Sequence, residues 1–205
     1  MACTDMTSFD LRQRHKVGFR AGNLFPELLP VEPSEWLRQS IRMGLESGVS
    51  NERARAERLV SPVLLELRER NGQAFSIFSR AHPDTAQNPP GGHSFTCSFS
   101  RVQDFITAPV FLVVNTCYRE TDEELTPLLQ QLIAARHLNE LEGHPNQPLY
   151  GCSTTGVEWR FLKHEGSDFI LDEQRYYLRQ LPALLGALQA VVRTAQSGLT
   201  EMGVP

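Results

Sequence analysis

The stretch APVFLVVNTCY, residues 108–118, limits the possible folds more than any other part of the chain. Val110 to Val114 are apolar without interruption. A strand wet on one side alternates polar and apolar residues, so a continuous apolar run reads as a central strand covered on both faces. Such a strand needs a packing layer on each side, which points to helices flanking a sheet. The run stops abruptly at Asn115, Thr116 and Cys117, a polar corner of the kind that often holds chemistry.

The rest of the chain supplies those layers. Ser34 is a good N-cap for a helix in which Trp36, Leu37, Ile41 and Leu45 recur at helical spacing up to Gly48. A second helix starts at Ser50, carries Leu59, Val63, Leu64 and Leu67 on one face and ends at Gly72. Pro62 predicts a kink or break inside it. Residues 74–79 and 94–105 read as strands, and the Pro- and Gly-rich stretch 81–93 as a loop. A helix over 121–143 follows, with Thr121 as cap and acids in its first turn. Residues 148–156 and 157–166 form a hairpin-like pair, 168–178 add a strand and turn, and 178–196 are a closing amphipathic helix. The expected organisation is an irregular N-terminal arm over 1–32, one α/β domain with a mixed sheet over 33–196, and a tail over 197–205.

The chain has 205 residues, enough for one good core, and a net charge of −4. That charge argues against indiscriminate binding to phosphate backbones, though not against a local basic groove. No apolar run approaches a membrane span, and the N-terminus lacks the apolar segment of a secretory signal. Cys3, Cys97, Cys117 and Cys152 show no metal-ligand spacing and read as reduced thiols of a cytoplasmic protein.

Several segments together carry a resemblance. These are NERARAERLVSPVLLELRE (51–69), APVFLVV (108–114), AARHLNE (134–140), YGCSTTGVEWRFLK (150–163) and YYL (176–178). In order and spacing they resemble a bacterial family of restriction-endonuclease-like proteins in the PD-(D/E)xK superfamily, near the N-terminal domain of type I restriction enzyme R subunits. The resemblance spans roughly Ser34 to Val192. It implies a restriction-endonuclease-like core with a mixed central sheet flanked by helices.

In that family one strand supplies an Asp, and the next a Glu followed two residues later by a Lys. The strand period of two aims Glu and Lys to the same side. The carboxylates hold Mg²⁺, which activates water, and a Gln on the following helix often completes the site. In this chain the Asp position is Ser98, the Glu position Asn115, the Lys position Cys117 and the Gln position Pro127. Glu57 remains as the helical acid that often faces the site. Neutral oxygens alone hold Mg²⁺ poorly. Asp104 shares parity with Ser98 but lies six residues further on, about 20 Å at strand rise.

The resemblance therefore implies a pseudoenzyme without cofactor or metal, whose fold serves as a surface for another protein, with a homodimer as one option. Nucleic-acid binding without cleavage is the alternative. Its support is basic: Arg12, Arg14 and Lys16 in the arm, and Arg53, Arg55 and Arg58 in the second helix. The bland reading of both runs is a solvated surface, the second paired with Glu52 and Glu57. A Mg²⁺-dependent nuclease with a rebuilt site stands behind both. Cys117 reads first as a small buried thiol, since a nucleophile needs a base and only the fold could bring His93, His137 or His164 to it.

Overall fold

The computed structural model of the chain describes residues 18–79, 93–100, 104–117 and 125–201. Its elements are β1 (Phe19–Gly22), α1 (Glu35–Glu46), α2 (Glu52–Arg55), a π-helical turn (Ala56–Val60), α3 (Ser61–Arg70), β2 (Ser76–Ser79), β3 (Ser94–Ser98), β4 (Val110–Thr116), α4 (Leu125–Leu141), β5 (Leu149–Thr154), β6 (Glu158–Glu165), β7 (Asp168–Tyr177), a 3₁₀ turn (Leu178–Gln180) and α5 (Leu181–Glu201). One mixed sheet has the order β1-β7-β6-β5-β4-β3-β2. Strands β4 and β5 are parallel, which requires a crossover, and α4 provides it.

Every residue of β4 is buried, because both faces of the sheet are covered. Leu112 and Val114 pack with Phe95, Cys97, Tyr150, Cys152, Trp159 and Phe161 against the helices before β2 and against α5. Val110 and Val113 pack with Leu149, Leu162 and Phe169 against α4. Strict alternation would put Phe111 on the α4 side. The pairing shifts there, with Cys97 opposite Leu112 but Ser98 opposite Val110. The extra residue is a bulge, and it lets Phe111 join Phe75 and Phe99 on the first face. At this bulge Asn139 of α4 accepts from Val110 N–H (2.8 Å) and donates to Val110 C=O (2.8 Å). Gly151 lets α4 come close, since a Cβ there would meet Leu132 and Leu162 side chains at 2.6 Å.

Pro62 acts as the sequence suggests, but without breaking the helix. Proline cannot donate to the carbonyl four residues back. The chain loosens by one residue instead: Ser61 N–H donates to Ala56 C=O in a π-type bond, and α3 continues. At α1, Ser34 Oγ accepts from Leu37 N–H (3.2 Å) as the expected cap. A second layer is invisible in the sequence. Buried Glu66 of α3 accepts from Ser34 N–H (2.9 Å), Ser34 Oγ (2.6 Å) and Arg70 Nε (2.7 Å). Burial pushes this carboxyl up, but the bonds from Ser34 and Arg70 outweigh it and hold it below its ordinary value.

Four boundaries differ from expectation. The second helix is capped by Asn51, whose Oδ1 accepts from Ala54 N–H (2.8 Å), and not by Ser50. Phe19–Gly22, assigned to an irregular arm, is an edge strand paired parallel to β7. Four residues containing Arg and Gly carry no alternation, and the pairing joins opposite ends of the chain. Arg12, Arg14 and Lys16 lie outside the described residues. Strand β3 stops at Ser98, well short of residue 105, because Ser98 Oγ donates to Thr107 C=O (2.5 Å) and Pro109 C=O (3.1 Å) and accepts from Ser100 N–H. Helix α5 runs to Glu201, into the expected tail. The α4 helix closes as read: Gly143 has φ of 87°, and His144 N–H reaches Asn139 C=O (2.7 Å).

Two substitutions test these contacts. Glu66→Gln is expected to cost about 1–3 kcal/mol at neutral pH. A carboxyl with a depressed folded pKa stabilises above its unfolded pKa and loses that contribution as pH falls through the folded one. Denaturant midpoints of wild type and Glu66→Gln therefore converge as pH is lowered from neutral to about 3. Asn139→Ala strands both polar groups of Val110 and is expected to cost about 2–4 kcal/mol in the same assay.

Candidate functional site

At the carboxyl ends of β4 and β5 the register lines up three polar residues across neighbouring strands: Ser94 of β3, Asn115 of β4 and Ser153 of β5. They are 3%, 1% and 0% exposed. All point to the α4 side, since their strand neighbours Phe95, Val114 and Cys152 face the other core. Cys117 joins them, with Sγ 3.5 Å from Ser153 Oγ and its N–H donating to Thr154 C=O (2.8 Å). The row continues outward through Arg160 of β6 and Arg175 of β7, the latter ion-paired with Glu158.

Asn115 and Cys117 thus sit on one side of the corner, as their spacing predicts. Ser98 does not join them. It stands opposite Val110, roughly 13 Å along β3 from the Ser94–Asn115 pair, and its hydroxyl is engaged by the loop backbone. Asp104 lies in an exposed bend beyond the end of β3. Pro127 falls in the first described turn of α4, half-buried. One turn later comes Gln131, buried, with no hydrogen-bond partner for its Oε1. Asn115 Oδ1 is likewise buried without a partner. The signal for Gln131 is an amide among the inward positions Leu128, Leu132 and Ala135, one turn beyond the Gln position expected at Pro127.

Glu57 is on the far side of the sheet. It lines a cavity of about 470 Å³ with Arg53, Ser61, Ser79, His93 and Phe95, under the core that Phe95 shares with the early helices. Its carboxyl receives Arg53 Nε at 2.7 Å, and that bond holds it below its ordinary value. There Ser79 Oγ and His93 Nε2 are 2.7 Å apart. The arginines of this helix hold local structure. Arg53 pairs with Glu57, Arg55 Nε donates to Val49 C=O (3.2 Å), and Arg58 donates to Ser47 C=O (2.9 Å) and Gly48 C=O at the end of α1.

Of the three histidines that the sequence offered to Cys117, His93 has its side chain across the sheet with Ser79, His137 is exposed on α4, and His164 pairs with Leu149 at the opposite end of β5. Burial, aided by Arg136, pushes the His164 pKa down. The hydroxyls of Thr154 and Thr155 close the β5–β6 turn by bonding Glu158 and Gly156. Among the described residues no three His, Cys, Asp or Glu side chains gather to hold a metal ion. No described helix is long and apolar enough to cross a membrane. Compared with known protein families, curated proteins and solved structures, the chain matches none of them.

Cys97, Cys117 and Cys152 are all buried and unbonded to one another, and burial pushes the Cys97 thiol up to about 12. In a Cys3→Ser background, an aromatic disulfide reagent is expected to titrate essentially no thiol in the native protein and all three in denaturant. Fast native labelling at Cys117 would contradict its packing against Ser153.

Proposed function

We propose that this chain is a restriction-endonuclease-like pseudoenzyme whose fold is retained as a module for binding another protein. The carrying observation is the corner beside α4. Asn115, Cys117, Ser94 and Ser153 are brought together there, and none of them carries a carboxylate. Mg²⁺-assisted cleavage needs anionic oxygen ligands and a positioned water, and neutral amide and hydroxyl oxygens are poor substitutes. The restriction-endonuclease-like core is supported by the order of the parts. Neighbouring strands β3 and β4 are followed directly by α4, the arrangement in which that family's strand-borne acids and helical glutamine work. A net charge of −4 favours a protein over a nucleic acid as the partner.

A second reading, binding of nucleic acid without cleavage, is favoured by one feature. Arg160 and Arg175 extend the Ser94–Asn115–Ser153 row toward the sheet edge. Glu158 offsets part of this charge by pairing with Arg175.

Purification of the tagged protein from its native host, with and without nuclease treatment, separates the two. A stoichiometric protein partner that survives treatment is expected. Loss of every partner on treatment would replace the first reading with the second. In parallel, Mg²⁺ or Mn²⁺ is expected to produce no cleavage of plasmid or single-stranded DNA above that of an Asn115→Ala, Glu57→Gln control. Metal-dependent cleavage abolished by that control would overturn the pseudoenzyme reading.

A further inference from the structure

A cavity of about 650 Å³ opens at the end of the sheet remote from Asn115, among the end of α3, the start of β2, the residues after β3 and the end of α5. Its size is that of a small-molecule site. One wall is the ring of half-buried Phe99, held edge to face against buried Phe75 at 6.4 Å and stacked on Phe111 at 4.3 Å. The polar lining is Arg68, Gln73, Ser76, Ser100, His144 and Gln196.

Arg68 is the cation of this cavity. Its Nε donates to Phe75 C=O at 2.8 Å, which fixes the guanidinium plane beside the aromatic wall. Among the described residues its ion-pair partner is Glu69, which approaches Nη1 only to 3.6 Å, is 63% exposed and already accepts from Gln73 Nε2 at 3.1 and 3.3 Å. So loose and wet a pair neutralises the guanidinium little. His144 is placed by the C-terminal closure of α4, and its Nδ1 is buried without a partner. A guanidinium held in plane, an imidazole and hydroxyl and amide groups around an aromatic wall suit a flat molecule that carries one anionic group.

We propose that this cavity binds a small planar organic anion, with its carboxylate or phosphate on Arg68 and His144 and its ring against Phe99. The site is independent of the corner at Asn115 and stands whether or not the nuclease-like reading does.

Calorimetric titration of the full chain with benzoate, adenosine 5′-monophosphate and inorganic phosphate tests it. Saturable binding of benzoate or the nucleotide is expected, with inorganic phosphate at least about tenfold weaker for lack of a ring. Arg68→Gln is expected to weaken binding at least about tenfold. Because Arg68 also holds Phe75 C=O, His144→Gln is the second variant: it leaves that bond intact and is expected to weaken binding several-fold. Saturation by none of the probes at millimolar concentration overturns the proposal. So does affinity unchanged in both variants, and equal affinity for phosphate and the nucleotide removes the ring's part. Comparing benzoate with the nucleotide separates a carboxylate ligand from a phosphate one.

Discussion

Strand β4 meets water on neither face, and the arrangement of the other elements follows from covering both. Five apolar residues in sequence can be buried only if layers approach from two sides, and each layer must then be held in place. On one side α1, α3 and α5 share a core with Leu112 and Val114. On the other, α4 stands alone among the described helices over Val110 and Val113. A single helix over a flat apolar face could slide. The paired bonds between Asn139 and Val110 stop it, because displacement would leave two backbone groups and an amide buried without partners. The bulge at Phe111 belongs to the same arrangement, since it puts Val110 and Val113 toward α4 while giving Phe111 to the opposite core.

The clasp between Ser34 and Glu66 does for the early helices what Asn139 does for α4. A helix start leaves N–H groups unsatisfied and attracts negative charge. Glu66 supplies that charge from another helix, and the hydrogen bonds from Ser34, together with Arg70, keep it ionised despite burial. Two of the places where polar groups are buried are thus seams between elements, and a third is the Ser94–Asn115–Ser153 corner. At the seams every named polar atom has a partner. At the corner Asn115 Oδ1 does not. That contrast separates polar residues that hold the fold from those whose placement the fold alone does not explain.

Much of the architecture could be read from periodicity, because burial forces it. The central strand, the capped α1, the end of α4 at Gly143 and the β5–β6 hairpin all lie where the residues indicate. Misreadings fell where the deciding contact is distant. β1 depends on β7, some 150 residues away, and the end of β3 depends on Ser98 bonding the 107–109 backbone. For the corner, period two sufficed to place Asn115 and Cys117 on one side. The inclusion of Ser98 failed, because an antiparallel register puts it at the other end of the strand pair. Glu57 was placed with the corner, yet the sheet lies between them.

What the sequence determined by itself was therefore local and statistical: which segments bury a face, where helices begin and end, and that no carboxylate occupies positions 98, 115 and 117. What the tertiary structure alone decided is which polar groups meet. Ser153 beside Cys117, Glu66 beneath Ser34, and Arg68 across a cavity from His144 are neighbours separated by tens of residues. Side-chain chemistry acts over a few ångströms, while periodicity reports only which way a side chain turns from its own backbone. Register and packing convert the second kind of information into the first.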